Sequence, residues 1–203
     1  MNNVDVNIAN KSRRNRNRLM LLVIFALFFG SLFVAGVLRF SGWRPSGMKN
    51  KGELLQPPAD LRGLTPKLLD GRDYQWNPIA RTWRIALAPP AHCGAECTKA
   101  VRNVHTVWEI LGPEATRVDV LWLCPSTPCD LPADAPRPAN LRLLQADSTL
   151  RSKLPRVDAF TYHGDHGLPV YVIDPNGFVI LRYAAGSDPG DLRSDLAKLL
   201  KLK

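Results

Sequence analysis

Cys93-Gly94-Ala95-Glu96-Cys97 places two thiols four positions apart. The pair follows an apolar run, Trp83 to Ala88, and precedes a stretch with helical spacing. At the start of a helix, such residues lie one turn apart on one face. That separation lets the sulfurs form a disulfide. It equally lets both grip one soft metal ion. As a mere clip the pair would do little, because it closes a very short loop and barely constrains the unfolded chain. A functional pair is the stronger expectation. If its chemistry is thiol–disulfide exchange, Cys93 is the attacking thiolate and Cys97 the resolving thiol. Cys124-Pro125-Ser126-Thr127-Pro128-Cys129 holds a second pair in a proline-rich loop. There a structural disulfide is expected, with a redox or metal-handing pair as the alternative.

These groups need elements to position them. Trp83–Ala88 reads as a strand, and Cys97 to Leu111 as a helix with Val101, Val104, Trp108 and Leu111 on one face, stopped by Gly112-Pro113. Arg117–Leu123 is β-rich and largely apolar. Leu141–Leu144 reads as a short extra strand, and Asp147 or Ser148 as the cap of a short helix over 148–154. Pro169–Ile173 and Phe178–Tyr183 are strands joined by the tight-turn sequence Asp174-Pro175-Asn176-Gly177. Ser187-Asp188-Pro189 opens a last helix. The order β-α-β-(α)-β-β-α predicts an α/β domain that resembles the thioredoxin fold. In it the first strand lies between the second strand and the hairpin. The first two strands are parallel and the third runs antiparallel. One rim of the sheet then collects Cys93, Cys97 and Cys124 with His163, Asp165 and His166.

Upstream, Leu19 to Leu38 is an uncharged run of twenty residues. As a helix it spans ~30 Å, a bilayer's hydrocarbon thickness. Residues 1–18 carry Lys11, Arg13, Arg14, Arg16 and Arg18 against Asp5, a net of +4 out of the chain's +9. Basic residues beside a span stay on the cytoplasmic side, so the charge belongs to topology and no nucleic-acid partner is expected. The expected organisation is a basic cytoplasmic tail at 1–18, a transmembrane helix at 19–38, a juxtamembrane linker at 39–60, and a thioredoxin-like domain at 61–203. All four cysteines then lie beyond the span, in a compartment that permits disulfides. A bacterial inner-membrane protein with its domain in the periplasm fits this.

His92-Cys93-x-x-x-Cys97 after a strand, then Asp165-His166, then Tyr171 to Gly177 (YVIDPNG), resembles the Sco/SenC family. These are membrane-anchored copper-binding proteins of cytochrome c oxidase assembly. The resemblance covers roughly residues 80–203 together with the single anchor. It implies a mononuclear copper site of Cys93, Cys97 and His166, and a cytochrome c oxidase subunit or another copper or redox protein as partner. Two thiolates and an imidazole suit Cu(I), and Cu(II) in altered geometry. The chain departs from the family at Gly167, where Ser or Thr is usual. It departs again at Cys124–Cys129, where an acidic segment is usual.

Three functions follow. The first is an assembly factor that delivers copper or reducing equivalents to the oxidase, a metallochaperone more than an enzyme. The second is a membrane-tethered thiol–disulfide oxidoreductase that uses Cys93 and Cys97. The third is a non-catalytic interaction protein with structural disulfides.

Overall fold

A computed structural model describes residues 3–41, 50–91, 94–129, 131–157 and 168–201. The chain forms two compact units, Met1–Met48 and Lys49–Lys203. The first is built on helix α1 (Asn3–Phe40). Its segment Asn15–Phe40 is long and apolar enough to cross a membrane. Large apolar side chains along it, from Leu19 to Phe40, are exposed, as suits a helix whose solvent is lipid.

The second unit is a six-stranded mixed sheet with helices on its faces. In chain order it comprises β1 (Glu53–Asp60), β2 (Trp83–Leu87), α2 (Ala95–Ile110), a 3-10 turn (Gly112–Arg117), β3 (Val118–Leu123), β4 (Leu141–Leu144), α3 (Ser148–Ser152), β5 (Val170–Ile173), β6 (Phe178–Tyr183) and α4 (Pro189–Leu199). The strand order across the sheet is β1-β6-β5-β2-β3-β4. β2, β3 and β4 are parallel neighbours. β5 runs antiparallel to β2 and to β6. The expected central position of the first thioredoxin-like strand and the direction of its neighbours are both met.

Every residue of β2 is buried, because both faces of the sheet are covered. Trp83, Ile85 and Leu87 face a core with Val101, Val104 and Val107 of α2 and Leu192 and Leu196 of α4. Ala86 and Ala88 face a second core with Leu150 of α3, Leu61 and Tyr74. The β5–β6 turn closes as its sequence demands. The Asp174 carboxylate accepts from the Gly177 and Phe178 amides, both at 2.8 Å. Gly177 has φ +102°, a conformation that side chains rarely adopt.

The expected linker at 39–60 needs one correction. Glu53–Asp60 is an edge strand, antiparallel to β6. Its Pro57 and Pro58 lie where the register slips between Leu54 and Ala59, and an edge strand tolerates proline there because it pairs on one side only. Lys51 and Gly52, just ahead of it, donate their amides to Asp195 of α4 at 2.7 and 2.9 Å. Composition reads this stretch as loop; pairing with a strand some 120 residues later in the chain makes it structure.

Candidate functional site

α2 begins after Gly94, with Cys97 in its first turn. The Cys97 amide donates to the Gly94 carbonyl at 3.1 Å. The Cys97 side chain is only 1 % exposed and sits in the core between α2 and the sheet. Its sulfur is disulfide-bonded. Glu96, beside it, is exposed. Helix α2 thus offers Cys97 inward and a carboxylate outward at the turn where its backbone N–H groups favour negative charge.

β3 delivers the second pair to the same rim. Cys124 follows the strand directly, and its amide donates to the Leu144 carbonyl at 3.0 Å. It is bonded to Cys129, with the two Cα atoms 5.1 Å apart. The expected disulfide is therefore present. Cys124 is buried in the same core as Cys97, and half-buried Cys129 packs against it. Leu168, just ahead of β5, is buried there too.

Cys93 and His166 lie outside the described residues, as do His92, His163 and Asp165. Of the three expected copper ligands, Cys97 is the one among the described residues. Among the described residues no group of three or more His, Cys, Asp or Glu gathers as a metal site.

Two further features shape the rim. Arg151 of α3 reaches under the end of β2 and donates to the carbonyls of Ala88 at 3.1 Å and Pro89 at 2.8 Å. It thereby holds the chain a few residues ahead of Cys93. α3 is itself set by Asp147, whose carboxylate caps the Thr149 and Leu150 amides. The cap is legible in the sequence; the arginine's target is not, since it lies more than 60 residues away. A cavity of about 300 Å³ also opens between α2 and α4, walled by Glu96, Lys99, Asn103, Leu168 and Ser187 among others.

Residues 83–203 match the family model described as a transmembrane-like, thioredoxin-like, C-terminal domain. The chain belongs to that family. No curated protein matches the sequence. Among solved structures, the chain is similar to BsSco, described as a member of the Sco family of cytochrome c oxidase assembly proteins. The identity is 16 %, the TM-score 0.51, and the match covers 76 % of this chain and 97 % of that one. It is similar to yeast Sco1 with copper bound, at 15 % identity and TM-score 0.51, over 77 % of this chain and 96 % of that one. A third likeness is a Sco1/SenC family lipoprotein from Bacillus anthracis, at 17 % identity and TM-score 0.50, over 72 % and 99 %. The thioredoxin-like chain and these Sco structures share a fold, which is the likeness that the CxxxC, DH and DPNG blocks foreshadow.

Proposed function

We propose that this chain is a membrane-anchored assembly factor that binds copper as cargo at Cys93, Cys97 and His166 and delivers copper, or reducing equivalents, to a cytochrome c oxidase subunit. The observation that carries the reading is Cys97: a buried sulfur in the first turn of the helix that leaves β2, within a fold shared with copper-bound Sco1. Two thiolates and an imidazole are a donor set that Cu(I) prefers over harder ligands. The ligands must lose their protons to bind, so affinity rises with pH until the thiols are ionised. In this reading the basic tail at 1–18 stays in the cytoplasm, residues 19–38 span a bacterial inner membrane, and the cysteines work in the periplasm.

The test is a Cu(I) titration of the reduced full chain in detergent against a competing chelator. One equivalent bound tightly, with affinity falling about 10–100-fold in His166→Ala, is the expected result. Stoichiometric binding that His166→Ala leaves unchanged removes the imidazole from the site.

A second reading is favoured by the disulfide state. Cys97 is oxidised and a second disulfide stands at the same rim. A membrane-tethered thiol–disulfide oxidoreductase would use Cys93 as its attacking thiolate, with Cys97, buried at 1 %, as the resolving partner. Turnover of a disulfide substrate without copper binding selects this reading.

A further inference from the structure

α2 and α4 leave part of the sheet between them uncovered. Val170 belongs to β5, an inner strand, and pairs with Leu87 on one side and Tyr183 on the other. A valine so placed is normally roofed by a helix, yet this one is only half-buried. With Val104, Leu168 and Leu192 it forms the apolar floor of the cavity of about 300 Å³. The gap exists because residues that border it are small: Ala100 on α2, and Ala184 and Gly186 on the loop into α4. Gly186, at φ +80°, lets that loop turn without a side chain. Around the floor stand Glu96, Lys99 and Asn103, on one face of α2, and Ser187 from the loop. Among the described residues, none of these four side chains has a hydrogen-bond or ion-pair partner. Asp188, also at the mouth, is committed to the Gly190 amide at 2.8 Å. An apolar floor under a few unengaged polar groups is how ligand pockets are built. The charges at the mouth narrow the choice of ligand. A site for an ion gathers one sign of charge, whereas Glu96 and Lys99 offset one another. The Asn103 carboxamide and the Ser187 hydroxyl each donate and accept, which matches a peptide group.

We propose that this cavity is an anchor site for a partner polypeptide. It takes one large apolar side chain of an uncharged, extended segment, whose flanking peptide groups bond to Asn103 and Ser187. The proposal rests on the reading that the rim acts on a partner protein, and adds where that partner is held. Glu96 stands beside Cys97 in the first turn of α2, so a segment anchored here passes next to the turn that carries the buried sulfur. At about 300 Å³ the cavity is at the small end of ligand pockets. It has room for one side chain with its peptide groups and none for a helix. One anchored residue binds weakly, at about millimolar strength, which suits a partner that must leave once served.

The test uses the full chain in detergent and the N-acetyl amide of photo-leucine, a leucine whose side chain carries a light-activated diazirine. After irradiation, digestion and peptide mass spectrometry report where the probe attaches. The expected adducts fall within residues 95–104 and 184–192. Excess N-acetyl-phenylalaninamide should suppress them, while 3-phenylpropionate and phenethylammonium at the same concentration should not. Ala100→Phe, which fills the gap, should abolish them. The milder Asn103→Ala/Ser187→Ala double variant should lower the yield about three- to tenfold, as the loss of one or two hydrogen bonds implies. Adducts confined to other segments, or suppression by a charged compound as strong as by the amide, overturns the proposal. So does labelling that falls as the chain is concentrated at fixed probe, the sign of a second copy in the cavity. The measurement needs neither copper nor free thiols. A chain that is labelled as expected but neither binds Cu(I) nor turns over a disulfide keeps the anchor site and overturns the chemistry proposed for the rim.

Discussion

Arg84 enters the sheet as the second residue of β2, and it is only 2 % exposed. Its charge survives burial because its nitrogens find partners: the Tyr74 hydroxyl at 3.0 Å and the carbonyls of Asp174 and Pro175, both at 3.1 Å. The Tyr74 hydroxyl in turn donates a hydrogen bond to the Asp119 carboxylate at 2.8 Å, and burial pushes that phenol far above its ordinary range. Arg84→Leu strands these acceptors and should cost about 3 kcal/mol. A urea titration measures it. Once reduced, the variant's cysteines should react as those of the unmutated chain do, because Arg84 lies near the opposite end of β2 from Cys97. Asp195 is the second buried charge, also 2 % exposed. Burial works against its charge, but the Gly52 amide, Lys198, the Lys51 amide and the Tyr183 hydroxyl outweigh it and hold the carboxyl below its usual range. A depressed carboxyl contributes stability above its unfolded pKa, near 3.8, and loses it as pH falls through the folded value. Urea midpoints should therefore be flat from neutrality to about pH 5 and fall below about pH 4, and Asp195→Asn should lower the neutral value and flatten the acid fall.

At the scale of elements, β1 shows how a polar, proline-bearing stretch becomes part of a sheet. A Cβ at Gly52 would stand 2.5 Å from the Tyr183 ring, so only glycine lets the chain approach β6 closely enough for Asp195 to take its amide. Gly52→Ala should cost about 1–3 kcal/mol, read from thermal unfolding, and should speed amide exchange at Leu54 and Leu181 ahead of the central strands. The other elements were far more legible. β2, α2, β3, β6 and α4 fall within a residue or two of where periodicity and turn residues put them, because apolar spacing, Gly112-Pro113 and Asp174–Gly177 act over a few residues. β1 escapes that reading because nothing within its own window makes it a strand. Its partner is β6, and an edge strand needs no apolar alternation of its own.

For the whole molecule, the apolar helix and the thioredoxin-like unit have separate physical logic. Exposed Leu, Phe and Val along Asn15–Phe40 would be untenable in water over that length. The full chain should stay with the membrane fraction through alkaline carbonate extraction, and a chain lacking residues 1–41 should be released. Protease added outside spheroplasts should digest the thioredoxin-like domain if the basic tail lies inside. Survival of the domain would reverse the topology and put the cysteines in a reducing compartment.

Of the candidate site, the rim that holds Cys97 and Cys124 was legible in outline. The CxxxC spacing, its place after a strand and the proximity of Cys124 to the same rim all follow from chain order, since parallel neighbours must end together. Local sequence accordingly determined the strands and helices from β2 to α4, where the chain turns, and that Cys97 and Cys124 stand at one rim. Tertiary structure alone decided that Cys97 is buried, that Arg84 and Asp195 hold charges inside the fold, that residues 53–60 close the sheet, and that Arg151 ties α3 to the end of β2. Each of these depends on partners 60 to 144 residues away in the chain or on a whole core closing around one side chain. No window of sequence contains both halves of such a contact.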